Sequence, residues 1–221
     1  MRFEITHRTS YRYDDPVSYL IQLLRVTPRS GAGQNVINWH ISAPTRLQAQ
    51  VDAFGNRTHI MTITQPTQHL EVTVQGVVEI AEDASSHRFK ADGLSPLVYT
   101  QPTRYTVPDV ALTEFAREHL NNGNATENDF FNLMNAVYAR INYVTGSTDV
   151  TTTAAESFMQ GMGVCQDHAH AFIACCHAVG ILTLQVTCFL LSHALGHDAG
   201  DAWLHVYTPI HDRLKNAITH L

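Results

Sequence analysis

An α+β chain in two parts is what this sequence predicts: an N-terminal antiparallel β-sandwich, then helices packed on a small antiparallel sheet. Three observations carry that expectation. Apolar residues alternate with polar ones at a period of two through much of the first hundred residues. Beyond about residue 106 the apolar spacing becomes helical. All four cysteines lie between residues 165 and 188, so the two parts differ in composition as well as in period. A chain of 221 residues has room for two domains with real cores, expected at 1–100 and 101–221.

The elements follow in order. Phe3, Ile5, His7, Thr9, Tyr11 and Tyr13 alternate with Arg2, Glu4, Thr6, Arg8, Ser10 and Arg12, which puts rings on one face of a strand and charge on the other. Val36–Ser42 alternates similarly, Asp52-Ala53-Phe54-Gly55-Asn56 reads as a turn, and His59–Thr64 follows as a strand. Leu70, Val72, Val74, Val78 and Ile80 mark another. Ala84–Thr106, with Pro96 and Pro102, reads as a linker. Asp109 can cap a helix to Leu120 that ends at Asn121-Asn122-Gly123. Thr126 and Asp129 resemble a capping box for a second helix, with Phe130, Phe131, Met134, Val137, Tyr138 and Ile141 as its apolar stripe. Tyr143–Thr153 is a polar loop. A third helix begins near Gly163-Val164-Cys165 and runs to about Val179, and two strands, Leu182–Leu191 and Ala202–Thr208, close the chain.

Composition excludes several classes. Charged residues make up only 15% and apolar ones 44%, the opposite of a disordered chain. A net charge of −6 offers no global basic field for nucleic acid or an anionic membrane. His168 to His197 carries no Asp, Glu, Lys or Arg, but Gly180, Thr183, Gln185 and Thr187 interrupt it, so a buried helix and strand are expected rather than a membrane span. Met1-Arg2-Phe3-Glu4-Ile5 shows no apolar h-region, so no signal peptide is expected. The adjacent Cys175-Cys176 makes a poor disulfide framework; reduced thiols and a cytoplasmic location are expected.

Cys165 stands out among the four thiols. It follows Gly161-Met162-Gly163-Val164 and opens a helix, where free N–H groups and the helix dipole favour a nucleophilic thiolate. Cys175 and Cys176 lie in mid-helix and Cys188 in an apolar strand, positions that suit packing. Cys165 and His168, three apart, could also share a metal ion, but His170 points elsewhere and a closed zinc site needs four ligands. Asp167 reads as a first-turn acid that complements the dipole.

Tyr143-Val144-Thr145-Gly146, Thr151-Thr152-Thr153-Ala154 and Gly163-Val164-Cys165-Gln166-Asp167-His168-Ala169-His170 together resemble the core of the bacterial transglutaminase-like superfamily, whose members are often described as candidate cysteine proteases. His7–Tyr13, Pro16-Val17, Leu24–Arg29 and Asp52–Arg57 resemble the β domain that precedes that core. The resemblance implies a papain-like fold for the second part and a Cys-His-Asp triad acting on a carboxamide, with Cys165 as nucleophile. It implies a peptide or protein substrate and no cofactor.

Two members of the triad depart from the pattern. Where the family has His-Ala-Trp opening a strand, this chain reads Asp201-Ala202-Trp203-Leu204-His205-Val206-Tyr207, so Asp201 occupies the histidine position. The Asp-Pro-Thr-Asn-like motif that should follow has no match before Leu221, so the core is expected to be truncated or divergent there. A carboxylate with an ordinary pKa of about 3.9 is a poor base for a thiol of about 8.5. His205 lies about 13 Å further along the strand. His193 and His197, in the preceding loop, are the remaining candidate bases, with His197 carried as a candidate catalytic residue beside Cys165 and Asp201. The expectation is thiol amide chemistry impaired at Asp201, against the alternative of an inactive peptide-binding pseudoenzyme.

Overall fold

The computed structural model describes residues 1–31, 33–81, 96–120, 125–183, 205–206 and 217–218. The chain divides into two compact units, Met1–Leu94 and Ser95–Leu221.

Among the described residues, the first unit holds six antiparallel strands in two sheets: β1 (Arg2–Val17), β2 (Leu20–Leu24), β3 (Gln34–Ser42), β4 (Gln48–Val51), β5 (Arg57–Ile63) and β6 (Thr67–Ile80). One sheet has the order β1-β6-β3 and the other β2-β5-β4. The alternation in the first strand is real: Phe3, Ile5, His7 and Thr9 are half-buried while Arg2, Glu4, Thr6 and Arg8 are exposed. Met61 and Ile63 of β5 meet Leu70 and Val72 of β6, with Tyr13, Leu20, Leu24 and Ile41 around them. Burial of each such side chain is worth about 1.5–3 kcal/mol, and this contact joins the two sheets into a sandwich. Gly76 pairs with Trp39, and a Cβ there would lie 2.3 Å from the Trp39 ring. Only glycine lets the indole lie across the central strand while its Nε1 donates to the Val26 carbonyl at 2.9 Å. The turn read at residues 52–56 is closed by Asp52, whose Oδ1 accepts from the Phe54 and Asn56 amides, with Gly55 at φ 74°. Two strands escaped the sequence reading, β2 and β4; β4 is exposed along its length and shows no alternation.

The second unit is built around one buried helix. Its elements are α1 (Val110–His119), α2 (Glu127–Arg140), β7 (Asn142–Tyr143), α3 (Ala154–Gln160), β8 (Met162–Gly163), α4 (Cys165–Ala178), β9 (His205–Val206) and β10 (Ala217–Ile218). Asp109 caps α1 by accepting from the Leu112 amide at 2.8 Å. Thr126 and Asp129 form a reciprocal box at α2, which also lowers the Asp129 carboxyl below its ordinary value. The apolar stripe of α2 is Phe130, Leu133, Val137 and then Ile141; Tyr138, expected on it, is exposed. Helices α1, α2 and α3 all pack on α4. From Ala169 to Cys176 every residue of α4 is buried, so this helix is enclosed on all sides, and apart from His170 that stretch is apolar. The helix α3 was not foreseen, although Thr153 and Glu156 form a second capping box and Gly161 ends it in the left-handed region.

The residues read as a linker up to Thr106 are partly core. Tyr99 and Thr106 are buried, the Tyr99 carbonyl accepts from the Thr183 amide at 3.1 Å, and the Ala154 amide donates to the Tyr105 carbonyl. Of the two expected closing strands, Leu182 and Thr183 are buried irregular chain and residues 184–191 lie outside the described residues. The second appears at His205–Val206, paired antiparallel with Ala217–Ile218. No helix among the described residues is long and apolar enough to cross a membrane.

Candidate functional site

The turn before Cys165 begins where α3 ends. Asn142 donates its amide to the Gly161 carbonyl and Val144 to that of Gly163, both at 2.9 Å, so β7 and β8 run parallel and deliver the chain to α4. Cys165 is the first residue of α4, half-buried, with a free thiol.

Val164, the residue before it, has both its backbone groups held by side chains of the first helical turn. The Val164 amide donates to Asp167 Oδ2 at 2.7 Å. Valine has no side-chain oxygen, so this is the backward half of a capping box without the forward half. The Val164 carbonyl faces His168 Nδ1 at 2.9 Å. Each of these side chains then reaches a second element. Asp167 Oδ2 accepts from the Thr148 hydroxyl at 2.5 Å, and His168 Nε2 meets the Ile141 carbonyl at 2.8 Å. A carbonyl only accepts, so each His168 nitrogen that bonds must carry a hydrogen. The rings of Tyr138 and Tyr143 lie 6.0 and 6.4 Å from that of His168. Asp167 is therefore more than the dipole-complementing acid expected from sequence, and both His168 nitrogens lie against backbone carbonyls instead of facing an ion with Cys165. No cluster of three or more metal-ligating side chains occurs among the described residues.

Buried polar atoms without a partner also occur on this helix. Asp167 Oδ1 and His170 Nδ1 have no hydrogen-bond partner among the described residues. The His170 ring stacks on Tyr105 at 5.6 Å, and burial pushes its pKa down, against the pull of the nearby Asp167 carboxylate. His177 is lowered too, by burial, although its Nε2 meets the Tyr99 carbonyl at 3.0 Å.

The other thiols are of a different kind. Burial pushes Cys175 up to about 12, and Cys176, fully enclosed beside it, is also raised. At neutral pH these are packing groups, as expected. Asp201, His193, His197 and Cys188 lie outside the described residues. The Thr148–Asp167 contact was not foreseen, because its partners are 19 residues apart and joined only by the fold.

Comparisons with known proteins agree with this construction. Residues 3–79 match the bacterial transglutaminase-like N-terminal region, and residues 113–213 match the transglutaminase-like superfamily. An uncharacterized protein of Mycobacterium tuberculosis is 27% identical over 232 residues, covering 94% of this chain and 74% of its own. One of Mycobacterium leprae is 25% identical over 199 residues, covering 86% and 71%. The crystal structure of a "putative cysteine protease" from Cytophaga hutchinsonii shares the fold with a TM-score of 0.71, at 19% identity, over 95% of this chain and 73% of that one.

Proposed function

Because this chain is a bacterial transglutaminase-like protein, with the N-terminal region and the core in sequence, we propose that its chemistry is amide cleavage or transfer through a thioester on Cys165. The single observation that carries this is a partly exposed free cysteine at the first position of a buried helix, after a turn tied to that helix by Asp167. The thiolate sulfur attacks the carbonyl carbon of a peptide or glutamine amide. The C–N bond breaks, the nitrogen leaves with a proton as an amine or ammonia, and the acyl group stays on sulfur. Water then releases a carboxylic acid, or an amine forms a new amide, and the thiol returns.

By resemblance the residue that protonates the leaving nitrogen is a histidine, and this chain has Asp201 there. An aspartate that is ionised at neutral pH carries no proton to give, and its charge opposes the thiolate. Turnover of ordinary amides is therefore slow, unless His197 or His193 supplies the proton. The observation favouring a second reading, a peptide-binding protein without turnover, is the same Asp201. The free thiols suit a reducing compartment such as the cytoplasm.

The test is release of ammonia and of cleavage products from glutamine-containing peptides. The chain should give slow turnover that Cys165→Ala abolishes. Asp201→His should raise it by a factor of about 10² or more, the usual worth of general acid–base catalysis. Turnover that survives Cys165→Ala would exclude the thioester.

A further inference from the structure

The geometry points to Thr148 and Asp167 as positioning residues for the Cys165 thiol, an assignment that rests on the proposed role of Cys165. Asp167 is buried, 1% exposed, yet its Oδ2 is shared by two donors from different parts of the chain: the Thr148 hydroxyl at 2.5 Å and the Val164 amide at 2.7 Å. The carboxylate and the turn are fitted to each other. A Cβ on Gly163 would fall 2.6 Å from the Asp167 Cβ and 2.9 Å from its Oδ2, so the backbone passes where only glycine fits. The peptide units flanking Val164 thereby inherit their orientation from Asp167, and they set where the Cys165 amide and Sγ point.

Thr148 is itself held in place. The Ser147 hydroxyl donates to the Val144 carbonyl at 2.7 Å on one side of it. On the other, Asp149 Oδ1 accepts from the Thr151 amide at 2.7 Å and its hydroxyl at 2.6 Å. A loop residue bracketed by two closed turns brings a fixed donor to the carboxylate. Satisfying a buried acid would need only a donor; here the same oxygen also anchors the turn before the thiol. Catalytic geometry tolerates errors of only about 0.5 Å and 10–20°, so loss of the Thr148 donor should be felt at Cys165.

The experiment reads the thiol and not turnover, so it stands even if the chain processes no amide. The pH dependence of Cys165 alkylation by iodoacetamide is measured by peptide mass spectrometry on the full chain, alongside thermal melting. Thr148→Val keeps the shape and removes the donor; Thr148→Ser keeps the donor. In Thr148→Val the loosened turn positions the thiol less well, so the pH–rate profile should change and the alkylation rate at pH 7 should fall about three- to tenfold. Thr148→Ser should restore the wild-type profile. Thr148→Ala, which cannot overpack the loop, serves if the valine variant does not fold. An unchanged profile in the folded valine or alanine variant would overturn the assignment, whatever happens to the melting temperature. So would a serine variant that behaves like the valine one.

Discussion

His168 reaches the carbonyl of Ile141 across 27 residues, at 2.8 Å, and so ties the helix that carries Cys165 to the end of α2. Its other nitrogen lies 2.9 Å from the Val164 carbonyl. Removal of this ring leaves a cavity and an unsatisfied carbonyl together. His168→Ala should cost about 2–4 kcal/mol, measured by urea unfolding. A loss below about 0.5 kcal/mol would mean that the cross-brace is ornamental.

His170 and His177 make stability depend on pH. Both have folded pKa values below the ordinary 6.5, chiefly because burial disfavours the charged ring. Above 6.5 both states are neutral and nothing is lost. As the pH falls below 6.5 the unfolded chain takes up protons that the folded chain refuses, so stability drops. The lowered carboxyls Asp52, Asp129, Asp149 and Glu156 act only as pH falls through and below about 4.5. Unfolding measured at pH 7.5 and 5.5 should show lower stability at 5.5. His170→Phe, which can keep the stack on Tyr105, should flatten that dependence; an unaltered slope would contradict the account.

Thiol selectivity follows from burial. Limited alkylation of the folded chain near neutral pH should modify Cys165 and spare Cys175 and Cys176, whose thiols are enclosed and raised. Equal labelling of the three before unfolding would contradict it.

Much of this was legible because it is local. The Asp109 cap, the Thr126–Asp129 box and the helix start at Cys165 each rest on residues within four positions. The short helix α3 has no long apolar stripe, yet the Thr153–Glu156 box announced it and was overlooked. Leu133, fully buried, and Tyr138, exposed, both fit the helical period of α2, and only packing decides between them. The Asp167 and His168 roles were illegible for another reason: Thr148 and Ile141 come to them through tertiary structure alone. The same holds for Tyr99, which lies in a Pro-containing stretch that reads as linker and is buried by partners about 80 residues away in sequence.

The β unit should fold alone. Its core residues, from Tyr13 to Val72, and both sheets come from within residues 1–94, since Tyr99, inside the expected 1–100 boundary, packs with the second unit. That fragment should melt cooperatively with a β-type circular dichroism spectrum. A non-cooperative melt would show that it depends on the rest of the chain.

The central claim is that Cys165 is an acyl-accepting nucleophile, and p-nitrophenyl acetate tests it most directly. Its leaving group departs without a proton donor, so Asp201, at the proposed histidine position, would not mask the thiol. Intact-mass and peptide mass spectrometry should find one acetyl group per chain, on Cys165, with a matching burst of nitrophenolate that Cys165→Ala removes. Acetylation confined to other residues, or a burst that persists in Cys165→Ala, would contradict it.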